Sequence, residues 1–254
     1  MNGFWTAIRL LTYFPTPKVE GEESSLLVAS LVWFPVVGAG LGAIVGIHEV
    51  GIRHLLPNSA VACGVAIALG LLLTRGAHVR GMMVMAGAAF SARDGEQLKE
   101  LAARRWPTGF GVLAGMVGLM LKYTLLLAIQ PESRIWALVL AGGLSRSSIV
   151  WTCWRFPYAP IDTGIGSYLV TLAGARDLAL ALPIIAMGFG TLNPIIAVCA
   201  VVGAWALPHL VAMRVSALLD GVNANTLDAV AEIGELGCLA AVAGIGHLIG
   251  RGVV

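Results

Sequence analysis

Long apolar segments alternate with short polar ones along almost the whole chain. A helix that crosses a bilayer needs about 20 mainly apolar residues, because the hydrocarbon layer is about 30 Å thick. By this criterion the pattern predicts seven spans, at residues 26–47, 59–74, 109–129, 135–154, 178–192, 194–213 and 236–250. We therefore expect an all-α, polytopic transmembrane helix bundle of six or seven spans, and we treat residues 1–254 as a single integral membrane domain.

Two further apolar segments are too short to span. Residues 1–15 are amphipathic and are expected to lie in the membrane interface, with Phe4, Trp5, Leu10 and Phe14 toward lipid. The segment at 80–90 is expected to be re-entrant, interfacial or packed inside the bundle. Backbone that does not span is tolerated at membrane depth only where protein or a water-filled cavity surrounds it.

Composition supports a lipid environment. The chain is 58% apolar and 12% charged, with a mean hydropathy of +0.86, whereas soluble domains are about 45–50% apolar and about 25% charged. So few polar groups cannot coat a water-soluble surface, and the bilayer is the predicted partner. The net charge of +2 gives no indication of a nucleic-acid partner.

Basic residues predict the orientation of the bundle. Most of them fall in the segments on the side of the N-terminus, whereas the opposite side carries Arg53, Arg134 and Arg251. Cytoplasmic loops carry the excess of Lys and Arg. We therefore expect a multi-pass protein of the inner (cytoplasmic) membrane, with the N-terminus and the polar loops in the cytoplasm.

Three polar segments on this predicted cytoplasmic face are the places where chemistry is expected, at residues 75–111, 156–166 and 219–235. Glycines, hydroxyls and arginines can hold phosphate, because a guanidinium group fits phosphate oxygens in a bidentate manner. Contact with anionic lipid headgroups is the alternative interpretation of the same residues. Lys122 and Arg146 lie within predicted spans, where a charge usually faces a cavity or a partner.

Short motifs within and around these segments share their order and spacing with one family. They are found at residues 10–17, 33–38, 41–43, 76–78, 90–93, 144–146, 158–159, 164–166, 225–227 and 232–236. On these motifs the chain resembles the cobalamin synthase family, adenosylcobinamide-GDP ribazoletransferase, almost from end to end.

The resemblance implies a transferase of the last steps of cobalamin biosynthesis. The reaction joins α-ribazole, or its phosphate, to adenosylcobinamide-GDP and releases GMP. The expected partners are a corrinoid substrate and a nucleotide-loop substrate, with a membrane paralogue or a second copy of the chain as a further partner. Mg²⁺ is expected on the diphosphate, held by carboxylate oxygens, which hard divalent cations prefer.

The resemblance also assigns site residues by position. The predicted catalytic residues are His78, Arg93 and Arg146. The predicted substrate-binding residues are Ser91, Tyr158, Gly164, Gly166, Asn225 and Thr226, together with Arg80, Arg104 and Arg105, which are predicted because arginines can pair directly with a diphosphate. Glu232 and Glu235 match acids of the family, and favourable interaction with the N-terminal dipole of the last helix is the alternative interpretation of both.

The chain departs from the family at its metal-ligand aspartates. The corresponding positions hold Arg80, Val84, Gly87 and Arg104. An arginine at such a position removes a ligand and adds a positive charge that repels Mg²⁺. The carboxylates left as candidate metal ligands are Asp162, Asp220 and Glu232.

Three functions follow from these observations. The first is the family transferase with a rebuilt metal site. The second is a catalytically silent paralogue that binds a corrinoid, a nucleotide or a partner enzyme in the membrane. The third is a small-molecule transporter, which is disfavoured because the sequence shows neither an internal repeat nor interrupted spans in corresponding halves, features that are frequent in transporters.

Overall fold

A computed structural model describes residues 2–18, 21, 23–161 and 164–250, and this part of the chain is almost entirely helical. Its only strand-like pairing is one bridge between Tyr158 and Val222. A short 3-10 helix covers Ala175–Leu178. The α-helices are α1 (Asn2–Leu11), α2 (Glu23–Leu31), α3 (Phe34–Leu55), α4 (Ser59–Leu73), α5 (Ala77–Ser91), α6 (Gly95–Ala103), α7 (Gly109–Ala128), α8 (Arg134–Arg155), α9 (Ile165–Leu172), α10 (Ala181–Thr191), α11 (Pro194–Leu219) and α12 (Ala224–Gly250).

Five of these helices are long and apolar enough to cross a membrane, namely α3, α7, α8, α11 and α12. Two bent pairs raise the number to seven if each pair counts as one span. In the first pair α5 turns by 87° from α4, and in the second the segment 175–191 turns by 101° from α9. The predicted all-α transmembrane bundle is confirmed, and the chain is a membrane protein.

Helix α5 contains the segment at 80–90 that is too short to span. It packs against α7 and α12 rather than continuing the direction of α4. The expectation that this segment packs inside the bundle is therefore confirmed, and the bent pair is either a broken span or a re-entrant loop.

The predicted first span, 26–47, is wrong at its start. Helix α2 ends at Leu31 and α3 begins at Phe34. Pro35 lies in the first turn of α3, where a missing amide hydrogen does no harm. Inside one continuous helix the same proline would leave the carbonyl of Leu31 without its donor and clash with it.

The predicted fifth span, 178–192, is also corrected. Helix α10 has 11 residues, which at 1.5 Å per residue reach only about 16 Å. Because the hydrocarbon layer is about 30 Å thick, α10 crosses it only together with the preceding α9. Helix pairs bent at a short break therefore occur in both halves of the chain, so the predicted absence of interrupted spans is no argument against a transporter.

The predicted last span, 236–250, begins too late. Helix α12 starts at Ala224, and α11 continues to Leu219, so the connection is only residues 220–223. Asp220 ends α11 in the left-handed conformation with a φ of 60°. Asn223 Oδ1 accepts a hydrogen bond from the Thr226 amide at 3.0 Å and thereby starts α12.

Part of the face of α1 that was expected to meet lipid packs against protein instead. Phe4 and Leu10 pack against the core cluster that includes Leu27 and Leu31. The Phe4 ring also contacts the Trp33 ring at a centroid distance of 5.3 Å. The expectation that Phe4 and Leu10 face lipid is therefore corrected in part, because both side chains are half-buried against the core cluster and, for Phe4, against Trp33.

Helix α8 is the most buried span and packs against α3, α11 and α12. Its contact with α3 is backbone to backbone at Gly38 and Gly142. A Cβ atom at Gly38 would overlap the carbonyl oxygen of Gly142. Small residues allow such close approach, which in membranes replaces the hydrophobic effect as a source of helix association.

We predict that Gly38→Ala destabilises the protein whereas Gly40→Ala does not. Both substitutions remove a glycine from α3, but a Cβ at Gly40 meets nothing within 4 Å. Overpacking at Gly38 should cost about 1–3 kcal/mol, lowering Tm by about 2–4 °C per kcal/mol. Thermal unfolding of both variants in the same detergent tests this, and equal Tm values would contradict the packing.

Candidate functional site

The structure brings the three polar segments together at one end of the bundle. The Tyr158–Val222 bridge joins the second segment to the third. Lys99 Nζ of the first segment lies 2.9 Å from Asp220 Oδ2 of the third. The side-chain amides of Asn223 and Asn225 both donate to the carbonyl oxygen of Ala102 at 2.9 Å.

A stripe of three carboxylates leads from this end into the bundle. Asp228, Glu232 and Glu235 are spaced four and three residues apart on α12 and therefore share one helix face. The stripe is roughly 10 Å long at the helical rise of 1.5 Å per residue. Glu232 is buried, so it lies among protein groups and not in solvent.

Two cations from different spans meet the deep part of this stripe. Lys122 Nζ of α7 lies 2.5 Å from Glu232 Oε1 and 3.3 Å from Glu235 Oε1. Arg146 of α8 donates from Nη1 to Glu235 Oε2 at 3.0 Å. Buried charges persist only when they are paired, and inside a membrane they usually mark a functional site.

Helix α5 supplies the partners of the outermost carboxylate. His78 Nδ1 lies 3.2 Å from Asp228 Oδ1, and Arg80 Nη2 donates to Asp228 Oδ2 at 3.3 Å. His78 is buried, and its other ring nitrogen, Nε2, has no hydrogen-bond partner among the described residues. The bend between α4 and α5 thus places a histidine at the entrance to the ion-pair network.

A partly enclosed cavity of about 60 Å³ borders these groups, and mostly apolar residues of α3 and α4 line its other side. Its polar lining consists mainly of His78, Lys122, Arg146, Glu232 and Glu235. An open, mostly apolar groove of about 940 Å³ lies beside it and shares Leu71 and Val79 with the cavity wall. Arg75 and Arg80 are the charged residues of this groove.

Of the predicted site residues, the structure brings together His78, Arg80, Arg146 and Glu232. The other predicted arginines lie on the surface. The Arg93 side chain is exposed, Arg104 pairs with Glu100, and the Arg105 guanidinium lies 5.9 Å from the centre of the Trp106 ring.

The remaining predicted substrate-binding residues hold the connections in place. Ser91 Oγ hydrogen-bonds Thr108 Oγ1 at 3.1 Å. Tyr158 forms the bridge to Val222, and a Cβ at Gly166 would lie 2.9 Å from its ring. Gly164 precedes the first residue of α9. Thr226 is fully buried, and Asn225 donates to the carbonyl oxygens of Ala102 and Arg104.

The expected magnesium ion does not fit the described residues. Within residues 2–18, 21, 23–161 and 164–250, no group of three or more His, Cys, Asp or Glu side chains converges as metal ligands. Glu232 is paired with Lys122, and Asp220 is exposed and paired with Lys99. Hydrogen bonding and Coulombic attraction from Asp220 raise the pKa of Lys99. Asp162 lies outside the described residues.

The residues at the positions of the family's aspartates make contacts that do not involve a metal ion. Arg80 belongs to the Asp228 cluster, and Val84 is buried in the core. Gly87 allows α5 to approach the start of α7, because a Cβ there would lie 2.6 Å from Thr108 Oγ1.

The site assignment from the sequence omitted Asp228, Lys122 and Glu235. Spacings of four and three residues from Asp228 to Glu232 to Glu235 are a signal of one helix face. The signal was missed because the last helix was predicted to start at residue 236, which put Asp228 in a loop and Glu232 and Glu235 no further than the start of the helix.

We predict that Lys122→Met strongly destabilises the protein. Losing the ammonium group leaves Glu232 and Glu235 with Arg146 as their remaining strong cation, and breaking a buried ion pair costs about 3–5 kcal/mol. The double variant Lys122→Met/Glu232→Gln restores charge balance and should recover much of the lost Tm. Lys99→Met is the matched control, since an exposed pair contributes little. Additive effects of the two substitutions would contradict the pairing.

The similarity to known proteins extends over nearly the whole chain. The family model described as cobalamin-5-phosphate synthase matches residues 3–243. The adenosylcobinamide-GDP ribazoletransferase of Chlorobium phaeovibrioides is 30% identical over 242 residues, which are 93% of this chain and 94% of the relative. The protein of the same name from Citrobacter koseri is 28% identical over 240 residues, covering 92% and 96% of the two chains. No solved structure matches. The chain therefore belongs to the cobalamin-5-phosphate synthase family.

Proposed function

We propose that this chain joins α-ribazole, or its phosphate, to adenosylcobinamide-GDP and releases GMP, in the last steps of cobalamin biosynthesis. The family match and the names of the relatives support this reaction over the transporter alternative. The observation that carries the proposal is the buried site, in which a histidine with a free ring nitrogen lies beside two cations from different helices.

The reaction is the attack of a ribose hydroxyl on a phosphorus of the diphosphate. The new P–O bond joins the ribazole to the corrinoid phosphate, the P–O bond to GMP breaks, and negative charge develops on the departing phosphate. The hydroxyl proton must go to a base within hydrogen-bond reach. We assign this role to His78, a residue that lines the cavity and whose Nε2 has no protein partner among the described residues.

Lys122 and Arg146 are the groups that neutralise the developing charge. Phosphoryl transfer depends mainly on positioning and on electrostatic stabilisation by fixed positive charges. Glu232 and Glu235 hold both cations in place before the substrate enters. Arg80, between the cavity and the groove, is placed to meet a phosphate oxygen. No step of this scheme uses a bound metal ion, and a magnesium requirement remains the expectation from the resemblance.

The corrin ring is far too large for a cavity of about 60 Å³, and the cavity must widen toward the groove to admit the diphosphate and the attacking hydroxyl. The adjoining groove is apolar, carries Arg75 and Arg80, and shares a wall with the cavity. We place the corrinoid there, with its diphosphate toward His78. The excess of basic residues at this end supports a cytoplasmic orientation in the inner membrane. Association with a membrane paralogue or a second copy of the chain remains a prediction.

A binding protein without turnover is the second candidate. The observation in its favour is that Asp228, Glu232 and Glu235 are each already paired with a cation, so none of the three is free to hold Mg²⁺. Such a protein would bind adenosylcobinamide-GDP and would not release GMP.

We predict that the purified protein in liposomes releases GMP from adenosylcobinamide-GDP and α-ribazole. His78→Gln should lower kcat by about 10²–10⁴-fold, the usual contribution of a general base. His54→Gln is the matched control. His54 is exposed at the C-terminal end of α3, whereas the cavity is lined by residues nearer the N-terminal end of that helix.

The same assay with a chelator separates the alternatives. Unchanged GMP release would support neutralisation by Lys122 and Arg146, whereas its loss would show that Mg²⁺ is required despite the geometry. Measurable binding of adenosylcobinamide-GDP without any GMP release would contradict the transferase and favour the binding protein.

A further inference from the structure

The pairing of Asp228 with both His78 and Arg80 restricts the orientation of the Asp228 carboxylate and of the His78 ring. Each carboxylate oxygen has its own partner, His78 Nδ1 at 3.2 Å and Arg80 Nη2 at 3.3 Å. Two separate contacts fix the rotation of the carboxylate, and the fixed carboxylate in turn fixes the plane of the imidazole ring. His78 itself is buried, so solvent does not compete for Nδ1.

We infer that Asp228, held by Arg80, is a positioning residue that keeps His78 in the tautomer protonated at Nδ1, with the unpartnered Nε2 as an acceptor. An ionised carboxylate can only accept hydrogen bonds, so the ring nitrogen that faces it must carry the hydrogen. In neutral imidazole the other nitrogen, Nε2, then has a free lone pair. The inference rests on the proposed function, in which that lone pair takes the hydroxyl proton.

The close packing of α5 on α12 allows Asp228 to reach His78 and Arg80. Gly81 follows Arg80, and a Cβ at Gly81 would overlap Asp228 Cβ. A glycine is therefore required for Asp228 to come within reach of both partners. A buried nitrogen without a partner is unusual in a native structure, and a role as proton acceptor accounts for it.

The other charged groups around His78 form a closed set of their own. Glu232 and Glu235 from α12, Lys122 from α7 and Arg146 from α8 line the same cavity, and these four are paired with each other. Asp228 is the carboxylate that contacts the imidazole directly. Asp228 is therefore the carboxylate that can orient the His78 ring through a direct contact.

The test is nitrogen NMR of the full-length protein labelled with ¹⁵N-histidine, with the His78 signals assigned by their loss in His78→Gln. We expect the Nδ1-protonated tautomer in the unsubstituted protein. Asp228→Asn should shift His78 to the other tautomer or to a mixture, since an amide can also donate. Asp228→Glu should restore the original tautomer. Asp94→Asn, an exposed matched substitution that keeps a good N-cap for α6, should change nothing.

The same variants are followed by GMP release. Asp228→Asn should lower kcat by about 10²–10⁴-fold with little change in KM, as expected when the imidazole takes the wrong tautomer. Asp228→Glu should recover part of kcat, which a role in packing alone does not predict.

The outcomes are distinguishable. A His78 tautomer that does not respond to Asp228→Asn, or an unchanged kcat in that variant, would overturn this inference. Failure of the unsubstituted protein to release GMP would overturn the proposed function instead, while the NMR result would still decide whether Asp228 orients His78.

Discussion

The ion pairs that Lys122 and Arg146 make with Glu232 and Glu235 determine the arrangement in the middle of the bundle. A charge without a partner is costly in a hydrocarbon environment. Each of these groups needs the others, and they come from α7, α8 and α12. The three spans must therefore pack with their polar residues at the same depth. A bundle with another order of helices would leave at least one charge facing lipid.

Once these spans are fixed, the position of α5 follows. The helix cannot face lipid with His78 and Arg80 on its surface, and Asp228 on the outer part of α12 offers both of them a partner. Glycines at positions 81 and 87 allow α5 to lie close to α12 and α7. The bend between α4 and α5 thus brings His78 to the edge of the cavity, where α5 packs against protein.

The sequence predicted well those elements whose signal is local. Helix α7 extends over Gly109–Ala128 and α8 over Arg134–Arg155, within one residue of the predicted spans at each end. Both are uninterrupted apolar segments, and Lys122 and Arg146 within them were recognised as unusual. The residues at which an apolar segment is divided into two helices were harder to predict. Pro35 divides a segment that reads as one span, and the separation of α9 from α10 has no comparably strong sequence signal.

The start of α12 could not be predicted from hydropathy, because residues 224–235 contain three carboxylates. Their cost is removed by Arg80, Lys122 and Arg146, which lie far away in the sequence and were not known to be neighbours. The same non-local pairing accounts for the incomplete site. His78, Arg80, Arg146 and Glu232 were predicted, but Asp228 was not, and the residues of the surface connections were included on motif position alone.

The central claim is that substrate binds beside α5, with the corrinoid in the groove lined by α4, α5 and α7 and its diphosphate toward His78 and Asp228. Hydrogen–deuterium exchange of the purified protein with and without adenosylcobinamide-GDP tests it, whether or not turnover occurs. We predict slower amide exchange at residues 74–81 and 220–228, with no change in the connection at 129–134 at the opposite end. Slower exchange at 129–134, with 74–81 and 220–228 unchanged, would contradict this location of the site.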